Sequence, residues 1–158
     1  MRKEDFIPVV NEKEILGFFG NYSWLSNFHE ADVYFDGLHY TSSEAAYQSA
    51  KTKDIKERKR FTKMTPIESK KEGKKLKLRE DWESVKYDIM ASIVFDKFYR
   101  HEYLRVLLLQ TGDKYIEETN YWQDKIWGKC DGEGTNWLGE ILMKIRDFWK
   151  SEEKGFQL

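Results

Sequence analysis

The chain has 158 residues and a mass of 19.0 kDa, the size of one ordinary domain, which buries roughly 68–70% of its unfolded surface without disulfide or metal staples. Lys and Arg number 27 against 28 Asp and Glu, a net charge of −1, which excludes a uniformly basic nucleic-acid coat and a highly charged disordered tail. Six Trp, two Pro and 16% aromatics exclude low-complexity sequence, and the longest aliphatic run, Val106–Leu109, is far short of the ~20 residues that cross a bilayer.

In chain order, residues 15–40 read as short strands and turns: Ile15–Phe19, a Gly20-Asn21 turn, then Asp32–Phe35 and Leu38–Tyr40 around Asp36-Gly37. That Asp-Gly pair is a type I′ hairpin signal. Everything after Thr41 reads as mainly helical. Thr41-Ser-Ser-Glu44 fits a capping box and opens a helix to about Lys51; Asp54-Ile-Lys-Glu57 and Thr65-Pro66-Ile-Glu68 open two more, the second with Pro at its first position. Asp81 caps a long helix through Val85, Ile89, Ile93 and Phe98, and His101–Gln110 continues it or starts anew before Gly112. After a glycine-rich loop, a last helix runs from about Asn136 to Lys150 on the stripe Leu138, Ile141, Leu142, Ile145 and Trp149. The fold class is α+β, mainly helical, with a small N-terminal β-sheet. An N-terminal extension is expected over residues 1–14, one domain over 15–150 and a C-terminal tail over 151–158.

Charge is unevenly spread. Lys51–Arg79 carries thirteen Lys/Arg against four Asp/Glu, a balance of +9, and the rest of the chain is at −10. A basic sector beside an acidic remainder suits an anionic ligand, although solvated faces of amphipathic helices account for such a run equally well. Met1–Phe6 has no apolar leader core, and Cys130 is the only cysteine, so a cytoplasmic location without disulfides is expected. His29, His39 and His101 lack metal-ligand spacing, and no phosphate-loop, dinucleotide, zinc-protease or Cys-x-x-Cys motif occurs. No metal, cofactor or membrane partner is implied.

Three segments carry polar and aromatic residues that a helical core does not require. Glu44, Tyr47, Gln48 and Lys51 fall at i, i+3, i+4 and i+7, one face of a helix, and present a carboxylate, a phenol, an amide and an amine in a row. Capping alone accounts for a Glu three residues after Thr41. Gly134-Thr-Asn136 precedes the last helix, whose first N–H groups suit a phosphate, with a plain N-cap as the alternative. Asp124 stands three residues before Trp127, and Ser26-Asn27 follows Trp24-Leu25. Trp24, Trp82, Trp122, Trp127 and Trp137 read as core, with an aromatic platform for a base as the second reading.

Taken together, Phe19-x5-Leu25-Ser-Asn-Phe28, Asp36-Gly37 leading to Ser43-Glu44-x-x-Tyr47-Gln48-x-x-Lys51, Trp82-x3-Lys86-x3-Met90, Lys97-Phe98, Leu107-Leu108-x-x-Thr111-Gly112, Asp124-x-x-Trp127-Gly128 and Gly134-x-Asn136-x-Leu138-Gly139-x-x-Leu142-Met143-x-x-Arg146 resemble the NADAR (YbiA-like) family of N-glycosidases from about Gly17 to Phe148. The sequence departs from the bacterial pattern at Ala45-Ala46 and in the acidic stretch Lys129–Gly134.

The resemblance implies hydrolysis of the bond between a ribose C1 and an exocyclic base amine. The substrates it implies are ADP-ribose on guanine in nucleic acid and phosphoribosylamino-pyrimidine intermediates of riboflavin synthesis. Glu44, Trp82, Asp124 and Trp127 fall on the family's functional positions. Glycoside cleavage through an oxocarbenium-like state asks for two carboxyl groups, here Glu44 and Asp124, while Lys51 offers a Schiff-base route to C1 of the opened sugar. Ser26, Asn27, Tyr47, Gln48, Trp82, Trp127, Gly128 and Asn136 are the expected substrate-binding residues. Phosphates are expected at the Asn136 helix start, at Ser26/Asn27 and on part of the basic sector. The rival reading is a non-catalytic ADP-ribose or nucleic-acid reader on the same scaffold.

Overall fold

The computed structural model describes residues 6–155. The described residues divide into two units: Asn27–His101 form one, and residues 6–26 together with 102–155 form the other.

In the Asn27–His101 unit, β3 (Glu30–Phe35) and β4 (Leu38–Ser42) pair antiparallel in the register Val33↔Tyr40. Asp36 and Gly37 at the turn have φ of 47° and 89°, the left-handed pair that a two-residue hairpin needs. Ala31 and Val33 of β3 and Tyr40 of β4 are buried, so one face of the ribbon is apolar. Helix α4 (Trp82–Arg100) packs on β3, and its Asp96 accepts the Tyr34 backbone N–H at 2.7 Å.

Helix α1 (Ser43–Ser49) is buried along its whole length, and α2 (Ile55–Phe61) and α3 (Pro66–Gly73) cover it. Seven residues are too few to hold a helix alone, so packing holds this one. The α2 and α3 starts follow expectation: Asp54 accepts the Lys56 N–H at 2.9 Å, and Thr65 and Glu68 form a capping box ahead of Pro66.

In the other unit, β1 (Val9–Val10) pairs antiparallel with β2 (Glu14–Leu16), which runs parallel to β5 (Tyr115–Glu117), Ile15 opposite Ile116. β2 thus joins its N-terminal neighbour β1 to a strand about a hundred residues downstream, and the 32–40 hairpin is a separate ribbon. A 3-10 helix over Gly20–Leu25 replaces the expected simple turn. Helices α5 (Glu102–Gln110) and α6 (Trp137–Gly155) pack together, with Leu104, Leu108, Leu138, Ile141 and Leu142 buried. Two short strands, β6 (Thr119–Asn120) and β7 (Lys129–Cys130), pair parallel and bracket the 121–128 loop. No helix among the described residues is long and apolar enough to cross a membrane.

Candidate functional site

Ser42 ends β4 opposite Glu30 and is still extended, at φ −158° and ψ 159°. The helix therefore starts one residue later than the sequence suggests. Ser42 is the N-cap and accepts the Ala45 N–H at 3.1 Å. Glu44 then falls at the second helical position, where the capping-box bond does not form. The capping account of Glu44 is thereby corrected. Its carboxylate accepts the Gln48 Nε2–H at 2.8 Å, and its backbone N–H donates to the Asn27 carbonyl at 3.0 Å.

Glu44 is 8% exposed, and a buried carboxylate has to be held by donors. The residues spaced along that helical face are brought together. Tyr47 packs on Trp82 with ring centroids 5.3 Å apart, and both rings are buried. The Lys51 ammonium lies 5.7 Å from the centroid of the Tyr47 ring. Burial holds the Lys51 amine below its ordinary range; Glu44 opposes that shift, and Lys74 and Lys70 add to it. A partly desolvated amine beside a carboxylate is a competent nucleophile and proton carrier.

Gln48 is fixed from the other side by α3. A Cβ on Gly73 would overlap Gln48 Oε1 and stand 2.7 Å from its Cδ, so glycine at this position lets the α3 backbone lie directly on the amide. The buried Asn27 side chain turns its amide N–H to Met90 Sδ at 3.3 Å, and its Oδ1 is buried without a hydrogen-bond partner.

Asp124, Trp127, Gly128, Asn136 and Ser26 belong to the other unit. Asp124 Oδ1 accepts the N–H groups of Ile126 at 3.1 Å and Trp127 at 2.9 Å, so this carboxylate shapes the loop that presents Trp127. Buried Asn120 holds the same loop: its amide donates to the carbonyls of Asp124 and Lys129 at 2.8 and 3.1 Å and accepts the Asp124 N–H at 3.0 Å. Trp127 is half-buried and packs edge-on against Trp137, centroids 5.7 Å apart. Gly128 is buried under Glu118 O and Asn120, with no room for a Cβ. Ser26 closes the 3-10 helix with its N–H on Ser23 O at 3.0 Å.

The expected phosphate site at Asn136 is corrected. The N–H groups of Asn136, Trp137 and Leu138 donate to the carbonyls of Gly128, Ile126 and Trp127 at 3.2, 3.0 and 3.0 Å, which leaves none of the three for an anion. The Asn136 amide donates to Ile116 O at 2.9 Å and accepts the Glu118 N–H at 3.0 Å. It is a clasp between β5 and α6.

Sequence reasoning missed a polar cluster in this unit. Glu117 accepts Tyr115 OH at 3.0 Å and Thr119 Oγ1, with Lys129 Nζ at 3.9 Å. Burial, with Glu117 beside it, pushes the Tyr115 phenol up to about 12. Tyr115, Glu117 and Thr119 alternate at i, i+2 and i+4, a strand-face signal that was there to be read. Trp122 also departs from expectation, at 41% exposed beside Phe19. Among the described residues, no group of three or more His, Cys, Asp and Glu is placed to hold a metal ion.

Known proteins resemble this chain in sequence and fold. The pattern of the NADAR domain family matches residues 12–149. N-glycosidase YbiA of Shigella flexneri serotype 5b is 34% identical over 149 residues, covering 89% of this chain and 92% of that protein. Riboflavin biosynthesis protein VVA0006 of Vibrio vulnificus is 32% identical over 134 residues, 80% of this chain but 35% of the longer relative. The solution structure of Escherichia coli YbiA superposes with a TM-score of 0.80 at 31% identity, covering 92% of this chain and 89% of that one.

Proposed function

The chain belongs to the NADAR family, and from that premise we propose that it is an N-glycosidase cleaving the bond between a ribose C1 and an exocyclic base amine. The observation that carries the reading is the α1 face. Glu44 is buried, is not consumed by capping, is held by Gln48 at 2.8 Å, and acts on the desolvated amine of Lys51. A scaffold or a passive reader has no need to bury a carboxylate beside an ammonium, because both pay a desolvation cost.

Three steps suit these groups. A ribosylamine opens to an imine at C1. The neutral Lys51 amine adds to that carbon, the base amine leaves with the proton, and water then hydrolyses the lysine imine to return the sugar and the free amine. Glu44 stabilises the positive charge that develops at C1 and shuttles the proton. Tyr47 and Trp82 keep water from one side. We propose a structural share for Asp124, which fixes the loop that carries Trp127.

The name of one relative, a riboflavin biosynthesis protein, supports an intermediate of riboflavin synthesis as substrate, and a phosphoribosylamino-pyrimidine has the required C1–amine bond. A specific observation favours a second one, ADP-ribose on guanine in a nucleic-acid strand: Lys56, Lys59 and Lys63 stand exposed at i, i+3 and i+7 along and beyond α2, a stripe that a mononucleotide does not need. Product analysis on both substrates tests the reading. Release of free base with repeated turnover supports it, and stoichiometric protection without release supports the non-catalytic reader instead. The salt dependence of kcat/KM separates the substrates, because a bound single strand adds a log–log slope of about −0.7 for each phosphate neutralised.

A further inference from the structure

Buried side-chain oxygens in a folded chain almost always have a hydrogen-bond partner, so the exceptions carry information. Among the described residues, side-chain oxygens of Asn27, Tyr40, Ser43, Gln48 and Ser69 are buried without one. Tyr40, Ser43 and Ser69 carry hydroxyls, which serve a donor or an acceptor alike and so say little about the chemistry of a partner. Gln48 Oε1 lies against the Gly73 backbone, where there is no room even for a methyl group. Asn27 Oδ1 is left, and its demand is defined: a carbonyl oxygen can only accept.

The Asn27 amide donates to Met90 Sδ at 3.3 Å. Turning the amide over would set its oxygen against the thioether sulfur, two lone-pair atoms in contact, so the oxygen belongs on the other side. Asn27 is tied to the candidate site at two points. Its backbone carbonyl accepts the Glu44 N–H at 3.0 Å. Met90 lies about two turns after Trp82 among the buried residues of α4, and Trp82 packs on Tyr47. Asn27 is 7% exposed and precedes Phe28, an exposed aromatic, so it stands near the surface of its unit.

We propose that Asn27 Oδ1 accepts the 2′-hydroxyl of the substrate's ribose, beside Glu44, and that this contact selects ribosides over 2′-deoxyribosides. The proposal rests on the glycosidase reading for the identity of the substrate, whereas the sugar contact is readable without turnover. Two donors lie next to C1 of a ribosylamine: the 2′-hydroxyl and the amine that leaves. The hydroxyl suits Asn27 better, because it stays on the sugar from substrate to product. As positive charge develops at C1, the neighbouring hydroxyl becomes a stronger donor, so its bond to a fixed acceptor tightens in the transition state. A site built around a hydroxyl also rejects the analogue that lacks it, since the buried oxygen then stays unpaired. A phosphate oxygen, itself an acceptor, does not meet the demand.

The first measurement is kcat/KM on a phosphoribosylamino-pyrimidine and on its 2′-deoxyribosyl analogue. The proteins are the wild-type chain, Asn27→Leu, which removes the acceptor at similar volume, and Asn27→Asp, which keeps one. The ribo-to-deoxyribo ratio should fall at least about tenfold in the Leu variant and stay within about threefold of wild type in the Asp variant. Equal losses on both substrates in Asn27→Leu overturn the contact and make Asn27 a support for the Glu44 backbone or the host of an internal water. A ratio that collapses in both variants overturns the acceptor assignment, because the Asp oxygen should preserve it.

The second measurement needs neither turnover nor a variant. The Asn27 side-chain amide resonances of the wild-type chain are followed by NMR as ribose 5-phosphate, and separately 2-deoxyribose 5-phosphate, is added. They should shift with ribose 5-phosphate, which should bind at least about tenfold more tightly than the deoxy sugar. Equal shifts and affinities for the two sugars, or no binding of either, overturn the contact. If Asn27→Leu does not fold, this titration decides alone. If the wild type turns over neither glycoside, the glycosidase reading fails while the titration still decides the sugar contact.

Discussion

Replacing Glu44 by Gln separates chemistry from packing at the centre of the α1 face. In the folded chain Glu44 Oε1 receives the Gln48 amide hydrogen at 2.8 Å, inside a region where the side chain is 8% exposed. A glutamine turned with its oxygen toward Gln48 keeps that bond as a neutral one. A hydrogen bond to a charged group contributes about 1.5–3 kcal/mol, a neutral one about 0.5–1.5 kcal/mol, so the exchange costs roughly 1 kcal/mol. Removing a buried charge offsets part of that loss, and the variant should unfold within about 1 kcal/mol of the parent. Glu44→Ala, by contrast, strands the Gln48 donor and should cost about 1–3 kcal/mol.

The amide cannot accept a proton or balance positive charge at C1, so kcat/KM for Glu44→Gln should drop at least about 10²-fold, some 2.7 kcal/mol of barrier. Urea unfolding gives the stability, and chromatographic detection of released base gives the rate. An active Glu44→Gln would end the catalytic assignment. A variant destabilised by several kcal/mol would show that the carboxylate serves the fold.

Four further outcomes follow from the same geometry. Lys51→Arg keeps charge but lacks a usable amine; it should abolish turnover and borohydride trapping of a sugar adduct, and an active Arg variant with no wild-type adduct would rule out the covalent route. Asp124→Asn keeps the oxygen that receives the Ile126 and Trp127 N–H groups and should retain most activity, whereas Asp124→Ala should lose it with a drop in melting temperature; an inactive but fully stable Asn variant would give Asp124 a chemical role instead. Gly73→Ala drives a methyl into Gln48 and should lower kcat/KM as well as stability, despite alanine's better helix propensity; unchanged activity would show that the Gln48 clamp on Glu44 is dispensable. Lys97 is 1% exposed and burial pulls its ammonium down to about 7 from an ordinary 10.5, so between those values the unfolded chain binds more protons and stability rises with pH, by about 2 kcal/mol from pH 7 to 9; Lys97→Met should flatten that rise, and a flat wild-type profile would refute the shift.

Features that rest on neighbours in sequence were legible. The Asp36-Gly37 turn, the Thr65 capping box and the Leu138–Ile145 stripe are local signals, and each forms where its residues place it. The α1 face was legible for the same reason, since i, i+3 and i+4 stay on one side of any helix, but α1 ends at Ser49, short of the expected Lys51, which sits in the following turn with its N–H on Gln48 O at 3.2 Å. The start of that helix was not. Thr41, Ser42 and Ser43 can all cap, and the choice among them falls to β4, whose pairing with Glu30 keeps Ser42 extended. A one-residue delay moved Glu44 out of the capping position and freed its carboxylate for Gln48.

The phosphate expectation failed by the same logic at longer range. A helix start in isolation is an anion site because its N–H groups lack partners. Whether they lack partners depends on what the preceding loop does with its carbonyls. Here Asp124 and Asn120 curl residues 124–128 so that three carbonyls face the first turn of α6, and Asn136, at φ +51°, spends its side chain on β5. β5, β6 and β7 are two or three residues long, so the Tyr115-Glu117-Thr119 alternation is a short signal, and β5 pairs with a strand about a hundred residues away. What the sequence did hold was charge. The +9 of residues 51–79 reads equally as an anion-binding sector or as solvated helix faces, and the fold ties part of it into ion pairs. Arg60 and Lys75 pair with Glu72, Arg58 with Asp36 and Arg79 with Asp81, and of these Arg60–Glu72 and Arg58–Asp36 join residues 12 and 22 positions apart, beyond the reach of any local pattern.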